Sequence, residues 1–196
     1  WRDVPVGTSL QDRFYRVLVS EIMLQQTQVS RVVPKYEEWL KRFPTIEVLA
    51  KASTRDVLGL WSGLGYNRRA LYLKKIAEIL YNDGRLHHAA TDARRPLHVG
   101  ISKDSSSLSE RRSPKVPANS GIRIGSTFNS VAGGQPPIIS SQQIIEALKK
   151  LPGIGEYTAR AIACFAFDAQ VAVVDTNIRK VISITFFDGK PPSQKV

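Results

Sequence analysis

Apolar positions recur at helical spacing wherever this chain is patterned. Residues 8–24, TSLQDRFYRVLVSEIML, set Phe14, Val17, Leu18 and Ile22 one turn apart behind Thr8 or Ser9, either of which can cap a helix. A polar break, QQT at 25–27, precedes QVSRVVPKYEEWLKRF, where Val29, Val32, Val33, Tyr36, Trp39 and Leu40 repeat the period. Pro34 lies near the first turns of that helix, and Phe43-Pro44 ends it. Thr45 can cap a short helix IEVLAKA, and Ser53 with Asp56 three residues on resembles a capping box before VLGLW. SGLGYNRRALYLKKIAEILYND then reads as a glycine-broken turn opening a longer amphipathic helix that stops at Asp83-Gly84.

The pattern lapses over residues 85–141, which carry eight Lys or Arg against three Asp or Glu and almost no periodic apolar residues. Such a segment cannot bury enough apolar surface to offset the entropy of ordering it, so a disordered basic insertion is expected at 85–140. Its plain reading is a tolerated loop; its functional one is an arm that loosely holds a polyanion. Order returns at SSQQIIEALKKLPGIGEYTARAIACFAFDAQVAVVDTNIRKVISITFF, a capped helix, a hairpin, a small-residue helix, an extended VAVV connection and a last helix from Asp175 or Thr176. The predicted architecture is all-α, a discontinuous helical domain over 1–84 and 141–187, with 188–196 beginning a linker to a further C-terminal part.

Between two of these helices stands LPGIGEYTARA, residues 151–161. Glycines at 153 and 155 permit a turn that β-carbons would obstruct, and they leave main-chain N–H groups uncovered where the next helix starts, at Glu156. Exposed amides at a helix N-terminus suit a phosphate, although an ordinary helix–helix turn needs the same glycines. Charge tips the balance. The net charge is +11 and the sequence pI ≈ 10.0, which favours a polyanionic partner, and Lys149, Lys150 and Arg160 flank the hairpin. The single cysteine, Cys164, excludes an internal disulfide framework or a cysteine-ligated metal site within this sequence and fits an intracellular, reducing compartment. No apolar run of about 18 residues and no signal-peptide layout is present. The start at Trp1 leads us to expect that the natural N-terminus is missing.

Two acids stand out. Glu21 lies three residues from Leu18, four from Val17 and seven from Phe14, on the apolar stripe of its helix. Burial disfavours a carboxylate and raises its pKa, which makes a glutamate a usable general acid; pairing with a nearby Arg is the plainer fate. Asp175 follows VAVV where a helix N-cap belongs, so capping alone could explain it. Together, one desolvated acid and one held ionised by helix amides divide the labour of an acid-assisted cleavage through an oxocarbenium-like state.

With these residues in place, the sequence resembles the helix-hairpin-helix DNA glycosylase superfamily, with its six-helix barrel domain, and within it the adenine DNA glycosylases that remove adenine mispaired with 8-oxoguanine. The likeness runs through WR, SEIMLQQTQV, VVPKYEEWLKRFPTIEVLA, LWSGLGYNRRA, LPGIGEYTARAIACFAF and VVDTNIRKV. It implies that Glu21 protonates the departing adenine at N7 and that Asp175 stabilises the sugar cation. Tyr157 stands where bifunctional relatives place a lysine nucleophile, and a phenol cannot form a Schiff base, so the resemblance implies a monofunctional enzyme. Gln26 resembles the residue wedged into the duplex, Thr27 and Leu64 lie where the family contacts the oxidised guanine, and Tyr66 resembles a stacking neighbour. The hairpin residues Lys150, Gly153 and Gly155 would hold a phosphate. Plain alternatives are helix-end roles for Gln26 and Thr27 and core roles for Tyr66 and Tyr157.

The family also carries a 4Fe-4S cluster on four cysteines and then an 8-oxoguanine-reading domain. Neither precedes Val196, so the chain reads as truncated, with no cofactor of its own and no metal in the chemical step. The insertion replaces what is ordinarily a short connection, and Asn67 follows Tyr66 where relatives often have a second aromatic. The resemblance implies a monomer acting on double-stranded DNA in the cytoplasm and nucleoid, or in a nucleus, and no membrane role. A thymine or uracil mismatch glycosylase on the same scaffold and a non-catalytic DNA-binding module remain as rivals.

Overall fold

The computed structural model describes residues 7–92 and 140–189. Within them every element is an α-helix: α1 (Leu10–Leu24), α2 (Val29–Arg42), α3 (Ile46–Lys51), α4 (Thr54–Trp61), α5 (Arg68–Asp92), α6 (Ser141–Lys149), α7 (Glu156–Phe167) and α8 (Thr176–Phe186). The VAVV segment forms no strand, as its length predicted, but the burial expected of it is not found: Ala172 is exposed and its three valines are only partly buried. The expected insertion falls mainly on 93–139, outside the described residues, as do Trp1-Arg2 and most of 188–196.

Side-chain caps set the helix starts. Ser9, Thr45, Ser53 and Ser140 accept from the backbone N–H three residues on, each satisfying a donor that has no partner within its helix. Ser140 and Gln143 close a reciprocal capping box. Ser53 and Asp56 do not, because the Asp56 carboxylate accepts from the Ser53 hydroxyl at 2.7 Å instead. The stop predicted at Asp83-Gly84 is also corrected, since α5 continues to Asp92. One interior glycine costs a helix only about 1 kcal/mol relative to alanine, too little to end it by itself.

α1 lies at the centre, packed against α2, α5 and α7, while α3 and α4 cover α5 and α6 pairs with α7. Its buried aromatics are hydrogen-bonded as well as packed. Tyr15 Oη donates to the Phe43 carbonyl at 2.6 Å and accepts from Trp39 Nε1 at 3.2 Å. Trp39 meets Trp61 edge-on with ring centroids 5.6 Å apart. On the far side Arg13 forks onto Asp168, both N–O distances 2.5 Å, and its Nε donates to the Phe165 carbonyl, fastening α1 to the end of α7. α8 is the exception: among the described residues its only buried position is Ser183, and Val181, Ile184 and Phe186 are all more than half exposed.

Candidate active site

α1 carries Glu21 into the interior, where it is 4% exposed among Val17, Leu18, Ile22 and Met23. Four residues on, roughly 6 Å further along the axis, the helix ends at Gln25. There the chain turns sharply. Gln26 adopts φ 56, in the left-handed region that costs a non-glycine residue roughly 1–3 kcal/mol. Tyr66, in the loop before α5, does the same at φ 48 and is 65% exposed. Gln26 and Tyr66, both singled out for DNA contact, are thus two of the four non-glycine residues in left-handed backbone among those described, the others being Asp168 and Asp188.

Arg69, on the first turn of α5, holds both corners. Its guanidinium is buried and donates through Nη1 to the carbonyls of Ile22 at 3.1 Å and Met23 at 2.9 Å, and to that of Gln25. Through Nη2 it donates to Thr27 Oγ1 at 2.9 Å and to the Leu64 and Gly65 carbonyls, both at 3.1 Å. It lies between the faces of Trp61 and Tyr66, 5.3 and 5.5 Å from their centroids. Burial pulls its pKa below the usual value, partly offset by Tyr66; a guanidinium stays charged regardless. Trp61 Nε1 adds a bond to the Gly65 carbonyl at 3.0 Å.

Between these corners opens a cavity of about 690 Å³ lined by Gln25, Gln26, Tyr66, Asn67, Arg69 and Tyr72, with Arg68 at its edge. Thr27 does not line it; its hydroxyl is 3.4 Å from the Leu64 carbonyl. It does not cap α2, whose N-cap is Gln28. Leu64 has its side chain in the core, 4% exposed, so any contact it makes with a ligand runs through its backbone.

The hairpin between α6 and α7 abuts the same corner. Gln25 Nε2 donates to the Gly153 carbonyl at 3.2 Å and to Thr158 Oγ1 at 3.3 Å. Gly153 needs its glycine, at φ 78 with Tyr72 against its backbone; Gly155 does not, having φ −91 and open space where a Cβ would go. The expectation that β-carbons would obstruct both positions therefore holds only for Gly153. As N-cap of α7, Gly155 places no side-chain oxygen over the first amides of the helix. Lys150, the C-cap of α6, is exposed. Lys149 and Arg160, by contrast, both bind Glu156, at 2.9 and 2.7 Å. Lys149, then Arg160, holds the Glu156 carboxyl below its ordinary value, and Glu156 in turn raises Lys149.

Asp175 is the N-cap of α8, accepting from the Ile178 N–H at 2.6 Å, and it is half-buried. Tyr157 is 43% exposed on the first turn of α7, not a core aromatic. Gln26, Thr27, Leu64, Tyr66 and Gly153 thus form one connected surface with Gln25, Arg69 and Tyr72, three residues that sequence reasoning did not single out. Neither Glu21 nor Asp175 lines the cavity. Among the described residues no group of three or more His, Cys, Asp or Glu could hold a metal, and with Cys164 the sole cysteine these residues do not fit a four-cysteine cluster. No helix among them is long and apolar enough to cross a membrane.

A glycine hairpin between two helices, in a chain with a buried glutamate on its central helix and a second acid capping α8, agrees with what comparison finds. Residues 19–196 match the HhH-GPD superfamily base excision DNA repair protein family, and the chain belongs to that family. It is 37% identical over 183 residues to an adenine DNA glycosylase of Mycobacterium tuberculosis, covering 93% of this chain and 41% of the relative. Adenine DNA glycosylases of Rattus norvegicus and Homo sapiens are 35% and 33% identical, each over 98% of this chain but 28% and 27% of their own lengths. The chain therefore spans less than half the length of these relatives. Among solved structures a thermostable thymine-DNA glycosylase shares the fold, with TM-score 0.56 and 22% identity over 93% of this chain and 57% of that one.

Proposed function

We propose that the protein is a monofunctional DNA glycosylase that hydrolyses the N-glycosidic bond of adenine mispaired with 8-oxoguanine or guanine in double-stranded DNA. The observation that carries the reading is the burial of Glu21, one helical turn before the strained corner whose Gln26 shares a cavity with Tyr66. The glycosidic bond is unreachable within a base stack, so the adenine must be extruded. Gln26 would enter the vacated space and Tyr66 stack beside it, while Thr27 and the backbone at Leu64 meet the opposite base. The α7 amides behind Gly153 and Gly155, with Lys150, would hold a phosphate and fix the register without reading sequence.

In the chemical step Glu21 gives its proton to adenine N7. The electron pair of the C1′–N9 bond leaves with the base, and Asp175 faces the positive charge that builds on the sugar. Water then adds at C1′ and returns a proton to Glu21, so the residue is regenerated. Tyr157, lacking an amine, offers no Schiff base and leaves the strand intact.

The test compares excision from duplexes carrying adenine opposite 8-oxoguanine, thymine opposite guanine and uracil opposite guanine, each with and without alkali. Release of adenine, with breaks only after alkali, is the expected result. Release of thymine but not adenine would move the protein to the mismatch-thymine class, and breaks before alkali would contradict the role given to Tyr157. Glu21→Gln should abolish excision and keep duplex affinity; no excision by the unsubstituted protein would leave a binding module.

A further inference from the structure

We propose that Arg69 is the positioning residue that welds the end of α1 to the 62–67 loop, so that Gln26 and Tyr66 meet DNA as one preformed edge. The inference rests on the glycosylase reading for what that edge does, but not for the weld itself. The two segments are about 40 residues apart in sequence, and the guanidinium bonds to both through six contacts, beside the single long one of 3.4 Å from Thr27 Oγ1 to the Leu64 carbonyl. One end of its fork takes three carbonyls of the α1 terminus, and the other takes Thr27 Oγ1 and the loop carbonyls of Leu64 and Gly65. Carbonyls at a helix C-terminus carry partial negative charge, so a cation there is favoured twice, by the helix and by direct bonding.

Two further observations separate positioning from mere filling of space. Arg69 is 7% exposed and its Nε is buried with no hydrogen-bond partner, a cost that an apolar side chain of similar size would not incur. That cost is offset only where the fork is used at both ends. The segments it joins also contain Gln26 and Tyr66, two of the four left-handed non-glycine residues among those described, and such backbone persists only where its surroundings over-determine it. A lysine could not substitute, because its three donors radiate from one atom and cannot span the two segments.

The test uses Arg69→Met and Arg69→Lys, read by amide hydrogen exchange and by duplex binding. Exchange in 24–27 and 62–67 should quicken together by about tenfold or more in both variants, with α3 unchanged as the internal reference. Affinity for a duplex with adenine opposite 8-oxoguanine, divided by that for a matched duplex, should fall by about tenfold. Unchanged exchange in the 62–67 loop of either folded variant would overturn the weld. So would faster exchange that includes α3, which marks global loosening; if Arg69→Met does not fold, Arg69→Lys decides. Should the unsubstituted protein show no preference between the duplexes, the glycosylase reading fails, and the exchange result still judges Arg69.

Discussion

The ring of Tyr72 occupies the place a side chain at Gly153 would need: a Cβ built on residue 153 lies 2.5 Å from Tyr72 Cδ2 and 3.0 Å from Cγ. The hairpin and α5 are therefore in register by exclusion. Gly153→Ala meets that ring and a φ of 78 together, the latter alone costing roughly 1–2 kcal/mol. Denaturant unfolding should show a loss of about 2–4 kcal/mol. Adding Tyr72→Ala should recover part of it, and strictly additive losses would show that the ring is not the obstacle.

Asp175→Asn separates the two roles open to that residue. Asparagine caps a helix about as well as aspartate, so the thermal midpoint should hardly move, within about 0.5 kcal/mol of stability. Excision of adenine should nevertheless slow by about a hundredfold or more, since the charge facing the sugar cation is gone. Single-turnover rates at saturating protein decide it. Equal rates for the two proteins would reduce Asp175 to its cap.

Glu156 stands at the mouth of the α7 N-terminus and holds Lys149 and Arg160, so it opposes the phosphate those groups could bind. Glu156→Gln releases both cations. DNA affinity at low salt should rise, and the slope of log affinity against log salt should steepen by about one to two units, one for each cation that newly reaches a phosphate. A fluorescence-anisotropy titration at several salt concentrations measures this; a slope equal to that of the parent would place the two cations away from the backbone of the duplex.

Arg13 holds the Asp168 carboxyl below its ordinary pKa, chiefly through their hydrogen bonds. A carboxyl depressed in the folded state contributes stability that is present above its unfolded pKa, about 3.9, and is lost as pH falls through the lower, folded value. Acid unfolding followed by circular dichroism should therefore begin at higher pH in Arg13→Met than in the parent. Asp168→Asn should show less loss of stability between neutral pH and acid. Identical acid profiles for all three would show that the fork contributes nothing.

The helical scaffold was legible because burial leaves a period in the sequence, and seven of its elements begin and end close to where caps and breaks predicted. Glu21 was legible for the same reason, as a charge on an apolar stripe. Arg69 obeys that rule too: it lies on the stripe of Ala70, Leu73, Ile76 and Leu80, all buried, and the logic applied to Glu21 would have found it. What escaped is pairing in space. Lys149 and Arg160 read as available cations until the fold set Glu156 between them, and the burial of the Leu64 side chain, which leaves its backbone for any contact, was not visible in its own segment. Sequence gives the face a residue shares with its own helix, not the partner brought to it by another.

Asp175 owes its place to the cap of α8, and α8 itself is moored to the rest of the molecule by little more than Ser183. Glu21 is set in a close-packed interior, whereas Asp175 caps a helix whose side chains, among the described residues, are mostly exposed. If Asp175 acts on the sugar as proposed, a tilt of α8 would re-aim its charge while leaving the surroundings of Glu21 in place. On the proposed mechanism, whatever steadies that one lightly anchored helix would then govern the chemistry.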